Sequence, residues 1–325
     1  MPANRGQGLP ILHLALGGTI ACVESPRGRI PRLAAKELLR RVEVPRGVGV
    51  RPVDLLQRTV VFPDDWTALA TRIFEERERC RGFVVTLGTD TLAWVAAALE
   101  LALPRFPLPI VLTGAMEPFG APGGDARRNL EGAIRIATRG EPGVFVAFGG
   151  RIVEGRRASK VSSEGCQAFD SIGAPPIGRV DGQRVRWLRA TEERGEPGKT
   201  EIFPRFDSRV ATLLLEPQSS PEDLAPFARF RGLLLLGFGD GNVANGLVPA
   251  LRRLAGGRLV VLGTRCGRGG VAHRYEGGRA LVESGVLSAG PLTNELASVG
   301  ICWALGQERR IDRARERFRT IAGGG

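Results

Sequence analysis

Three short apolar runs, each closed by a glycine or threonine turn, constrain this chain most. They are "ILHLALGGT" at 11–19, "GFVVTLGTD" at 82–90 and "PIVLTGAM" at 109–116. Each is too short to be an independent helix and reads as a buried strand. Between and after them come helical patterns: "LAAKELLRRV", "PDDWTALATRIFEERERC", "TDTLAWVAAALELAL" and "ARRNLEGAIRIAT". Asp64 and Asp65 suit the positive end of the second of these helices. "GVGVRPVDLL" reads as a strand or a strand-like connection, and "GVFVAFGGRIVEG" as a strand reversing near Gly149-Gly150. Strands alternating with helices predict an α/β fold with a mainly parallel sheet. Such sheets bind ligands beyond the carboxyl ends of their strands. The turns after the three runs are therefore the places to look for chemistry.

The length of 325 residues favours two domains. A polar stretch with Gly and Pro at 190–208 reads as a linker between an N-terminal α/β domain, 1–189, and a C-terminal α/β domain, 209–325. The net charge is +12, yet only Lys36, Lys160 and Lys199 are lysines among the 46 basic residues. The arginines are scattered rather than gathered on one stripe, and no nucleic-acid recognition motif is present, so no nucleic-acid partner is expected. Five cysteines without a C-x-x-C, and two histidines, give no disulfide framework and no metal site. His13, within an apolar run, reads as a core histidine. No run reaches ~18 apolar residues and no signal-peptide layout opens the chain, so a cytoplasmic protein without membrane contact is expected.

Three constellations can carry chemistry. In "LALGGTIA", Thr19 follows two glycines that permit a tight turn; it either caps local backbone donors or acts on a ligand. In "TLGTDT", Thr89 or Asp90 either caps the next helix or forms a hydroxyl and carboxylate pair for catalysis. In "RRASKVSS", Lys160 stands where this chain almost always uses arginine. An amine can lose its proton when suitably surrounded, whereas a guanidinium effectively cannot. A Thr-Asp-Lys group fits an activated hydroxyl: the amine takes the proton and the carboxylate positions the amine. Other motifs are weaker. "LLLLGFGDGNV" lacks a dinucleotide fingerprint, and "GTRCGRGG" lacks the G-K-[ST] of a phosphate-binding loop, leaving Cys266 a structural reading. "LTGAMEPFGAPGGDARRNL" reads as a mobile functional loop with Asp125 and Asn129 as its polar candidates.

Taken together and in order, these motifs resemble those of the bacterial-type L-asparaginases and their glutaminase-asparaginase relatives. "LALGGTIA" and "TLGTDT" look like the two family signatures, and Lys160 matches the catalytic lysine. The likeness extends through "PDDW", "LTGAM", "NLEGAI", "QAFDS", "GDGNV" and "TRCGRGGV", covering nearly the whole chain. The resemblance implies a larger N-terminal and a smaller C-terminal α/β domain, and hydrolysis of a side-chain amide to a carboxylate and ammonia. No cofactor or metal is needed, and a homodimer or homotetramer is implied. It also implies Thr19 as nucleophile, with Thr89, Asp90 and Lys160 as the activating group and Gly18, Gly88 and Ala115 around the substrate.

Departures from the family pattern bear on the substrate. Arg29 holds the place of the tyrosine usual in the loop after the first threonine, and Arg58 or Thr59 that of a serine which binds the substrate's α-carboxylate. Leu87 replaces a histidine. Arg58 either binds a carboxylate bidentately or fills the pocket. The rival readings are an amidase of this fold acting on another primary amide and a non-catalytic protein that binds a small acid through Arg29 and Arg58. The related archaeal tRNA-dependent amidotransferase has an extra N-terminal domain, for which the ten or so residues before the first strand leave no room.

Overall fold

A computed structural model describes residues 8–26, 28–139, 141–190 and 200–323. It divides into two compact units, Met1–Pro204 and Arg205–Gly325. The division falls inside the expected linker, of which residues 191–199 lie outside the described residues.

In the first unit, β1 (Ile11–Gly17) leads through a single 3-10 turn, Thr19–Ala21, into a small hairpin of β2 (Cys22–Val23) and β3 (Ile30–Pro31). Then come α1 (Ala35–Leu39), β4 (Val50–Arg58), α2 (Pro63–Glu76), β5 (Gly82–Thr86), α3 (Thr89–Ala102), β6 (Pro109–Thr113) and α4 (Ala126–Arg139). The unit closes with β7 (Gly143–Phe148), β8 (Arg151–Glu154), β9 (Ala158–Lys160), β10 (Phe169–Ser171), β11 (Gly178–Asp181) and β12 (Arg184–Trp187). The helix expected over 33–42 is only the five residues of α1. The β-branched Val42 and Val44 and the following Pro45 oppose a longer one.

Eight strands form one sheet in the order β12-β11-β8-β7-β6-β5-β1-β4. The run from β4 to β7 is parallel, and β8, β11 and β12 are added antiparallel. The mostly apolar composition of β1, β5, β6 and β7, interrupted by His13, Thr86 and Thr113, fits burial of every residue in them. The partly exposed β4 lies at the edge, where Pro52 removes no central hydrogen bond. The reversal at Gly149-Gly150 is a tight turn with φ of 57° and 79°, joining antiparallel β7 and β8. From β1 the chain crosses to β4 on one side, then returns to β5 on the other, so the order reverses around β1. That reversal opens a crevice at the strand carboxyl ends.

The second unit stacks β13 (Val210–Leu214), β14 (Gly232–Gly237), β15 (Leu259–Thr264) and β16 (Leu287–Ser288) in one parallel sheet. Its helices are α5 (Val248–Ala255), α6 (Glu276–Glu283), α7 (Asn294–Gln307) and α8 (Ile311–Ala322). The fold is thus the expected pair of α/β domains, the larger one N-terminal. Among the described residues, no helix is long and apolar enough to cross a membrane.

Candidate active site

The turn after β1 is shaped by close packing of backbone on backbone. Gly17 and Gly18 have φ of 95° and 79°, values L side chains rarely adopt. Gly18 N–H donates to the Arg58 carbonyl at 2.8 Å, which docks the end of β1 on the end of β4. A Cβ at Gly18 would lie 2.2 Å from the amide nitrogen of Gly88, so glycine is required for this turn to touch the one after β5. Gly88 is constrained from the other side, since its Cβ would meet the Thr59 carbonyl at 2.1 Å. The turn after β6 joins the group: Leu87 N–H donates to Thr113 O at 3.1 Å, and a Cβ at Gly114 would lie 2.6 Å from Leu87 O. Gly18, Thr59, Gly88 and the buried Ala115 thus sit on four adjoining strand ends. Thr19 follows directly, as the partly buried first residue of the 3-10 turn.

Gly88 is the N-cap of α3, and no side chain caps that helix. The capping alternative for Thr89 and Asp90 is therefore not the one realised. Their side chains turn to Lys160 instead. Lys160 ends β9, which pairs with β10 through Lys160 and Phe169. Its Nζ lies 2.9 Å from Thr89 Oγ1 and 2.5 Å from Asp90 Oδ1, across 71 and 70 positions of chain. In its ammonium form Nζ donates to both; as an amine its lone pair can face the hydroxyl. Thr89 is buried, Lys160 mostly so, and Asp90 is open to solvent. The first turn of α3 also brings its unpaired N–H groups and the positive end of the helix dipole here.

The two arginines are held by carboxylates. Arg58 donates through Nη1 to Asp65 at 3.1 Å, and Asp65 in turn accepts the Phe62 N–H at 2.9 Å at the start of α2. Arg29 donates through Nε to Glu24 at 2.9 Å and through Nη2 to Glu117 at 2.7 Å. That edge of its guanidinium is occupied. Asp125 and Asn129, the polar candidates of the glycine-rich loop, point inward. Both are buried. Asp125 accepts the N–H groups of Met116 and Glu117 and the Asn129 amide, and Asn129 donates to Gly114 O at 3.0 Å. They hold the Gly114–Glu117 turn in shape, because buried backbone donors must be paired. His13 is buried in β1 with Nε2 3.0 Å from Thr86 Oγ1, and burial lowers its pKa to about 4.

Sequence reasoning passed over Glu117 and Thr91. The Thr91 hydroxyl accepts Val61 N–H at 3.2 Å and ties the segment after Thr59 to α3. The third residue of "TDT" was its only signal.

Lys160 Nζ set between a hydroxyl and a carboxylate, beside the switch point of a parallel sheet, fits a hydrolytic class of site. The comparisons specify it. The asparaginase N-terminal family matches residues 10–193, and the glutaminase/asparaginase C-terminal domain matches 209–318. The chain is 37% identical to the L-asparaginase of Thermococcus kodakarensis, over 97% of this chain and 98% of that protein. It is 30% identical to a glutamyl-tRNA(Gln) amidotransferase chain of Thermoplasma acidophilum, over 94% of this chain and 77% of that one. The solved T. kodakarensis L-asparaginase superposes with a TM-score of 0.90 at 35% identity, covering 97% and 98% of the two chains. L-asparaginase I of Vibrio cholerae superposes with 0.82 at 25% identity, covering 96% and 97%. The protein is a hydrolase acting on amides. It belongs to the asparaginase family.

Proposed function

We propose that the chain hydrolyses the side-chain amide of L-asparagine to L-aspartate and ammonia, with Thr19 as nucleophile. The observation that carries this reading is Lys160 Nζ within hydrogen-bonding reach of both Thr89 and Asp90. The Thr19 hydroxyl attacks the amide carbon, and its proton passes through the Thr89 hydroxyl to the Lys160 amine. Asp90 holds the resulting ammonium. Backbone N–H groups of the α3 first turn face the developing oxyanion. The ammonium then returns its proton to the amide nitrogen, the C–N bond breaks and ammonia leaves an ester on Thr19. Water gives a proton to the amine by the same path and attacks the ester; the ammonium returns that proton to Thr19 Oγ1 as the ester C–O bond breaks, so Thr19 and the amine are restored and the acid leaves and ionises to the carboxylate.

Arg58 favours a second substrate reading. Its guanidinium is aimed by Asp65 beside Thr59, so a different primary amide fits if that bulk narrows the pocket. Ammonia release from asparagine, glutamine and simple primary amides separates the two. Turnover of asparagine with an acyl mass adduct on the Thr19 peptide supports the first reading. Turnover confined to other amides replaces it with the second, and binding of acids without ammonia release refutes both. Arg58→Ser is expected to shift the profile toward free asparagine; an unchanged profile removes Arg58 from the specificity argument. The family resemblance also points to a homodimer or homotetramer, which sedimentation measures directly.

A further inference from the structure

The turn carrying Thr19 and the β2–β3 hairpin are one hydrogen-bonded piece. Ala21 N–H and the Cys22 thiol both donate to the Gly18 carbonyl, at 3.0 and 3.4 Å. Arg32 and Leu33 N–H both return to the Ala21 carbonyl at 2.9 Å. The far end of this piece reaches the turn after β6 through Arg29, whose Nη2 donates to Glu117 across 88 positions. Glu117 is itself anchored: its N–H donates at 3.0 Å to Asp125, a fully buried carboxylate. A loop braced by a buried carboxylate thus holds the segment that presents Thr19.

We infer that Glu117 is a positioning residue which, through its ion pair with Arg29, holds the Thr19 turn in register with Thr89 and Lys160. The inference rests on the reading of Thr19 as nucleophile. Both partners are about two-fifths exposed, at 41% and 44%. An exposed pair is weak and screened by salt. The replacement of an aromatic residue by Arg29 then acquires a purpose: the arginine fastens the hairpin instead of contacting the substrate.

The test is a double-mutant cycle read by steady-state kinetics and amide hydrogen exchange. Arg29→Gln and Glu117→Gln are each expected to lower kcat about two- to fivefold, with KM little changed. The double variant should be no worse than either single one, and Arg29→Lys should recover most of the loss. Exchange in peptides spanning Cys22–Val23 and Ile30–Pro31 should quicken in all three Gln variants. Raising ionic strength should lower turnover of the parent protein and leave Glu117→Gln indifferent. Additive losses overturn the proposal, as does unaltered exchange or a loss confined to KM. Thr19→Ala probes the underlying reading separately. If that variant still turns over, Thr19 is not the nucleophile, whereas the exchange data still report whether the ion pair holds the hairpin.

Discussion

At the scale of single residues, the proposed chemistry depends on what Lys160 is able to do that arginine is not. The chain uses arginine rather than lysine almost everywhere, and one of its three lysines ends at a buried threonine and an acidic partner. Lys160→Arg keeps the charge and its attraction to Asp90 but removes a proton acceptor. Turnover is expected to fall by about two to four orders of magnitude, with the thermal unfolding midpoint nearly unchanged. Ammonia release at the parental rate would exclude a base role for Lys160. This part of the site was legible in the sequence because rarity against a biased background marks a constrained position. For Asp125 and Asn129 the sequence left the role open for an equally physical reason. A carboxylate in a glycine-rich loop has the same appearance whether it faces a ligand or satisfies its own loop's N–H groups, and only burial separates the two cases.

At the scale of elements, the site is made by strand ends that touch. The apolar runs and their glycine turns could be read one by one, because strands buried on both faces leave unbroken hydrophobic runs. Their neighbours could not. That β1 lies between β4 and β5 depends on long-range pairing, for which the local pattern carries no label. The glycines are the imprint of that pairing. Gly88 has an ordinary φ of −64°, so its requirement is space rather than backbone freedom. Gly88→Ala would drive a methyl into the Thr59 carbonyl, 2.1 Å away, and force the start of α3 off the end of β4. A loss of about 1–3 kcal/mol in urea unfolding is expected, together with a disproportionate fall in kcat as Thr89 and Asp90 leave register. A variant with parental stability and parental kcat would show that the two turns do not need this contact. By the same reasoning Gly28, where a Cβ meets nothing, constrains only its own φ of 96° and not its neighbours.

At the scale of the whole molecule, the two units carry acid sensitivity in separate pH windows. His13 lies in the first unit, fully buried, with its folded pKa lowered by desolvation from 6.5 to about 4. The unfolded chain takes up this proton first. Stability is therefore full above pH 6.5, falls as pH drops toward 4, and levels off below. The change is about 3 kcal/mol. Asp207 lies in the second unit. Burial alone would raise its pKa, but hydrogen bonds from the Arg209 side chain and backbone and from Arg231 outweigh that and hold it at about 2. Its contribution is complete above 3.8 and is lost as pH falls toward 2, about 2 kcal/mol in all. Urea titrations at stepped pH, followed by hydrogen exchange in each unit, read the two windows independently. His13→Gln keeps an amide near Nε2 for the Thr86 hydroxyl and should flatten only the upper window, in the first unit. Asp207→Asn should lower stability at neutral pH and flatten only the lower window, in the second. If the upper slope survives His13→Gln, another group carries it, and the desolvated imidazole is not the acid switch of the larger domain.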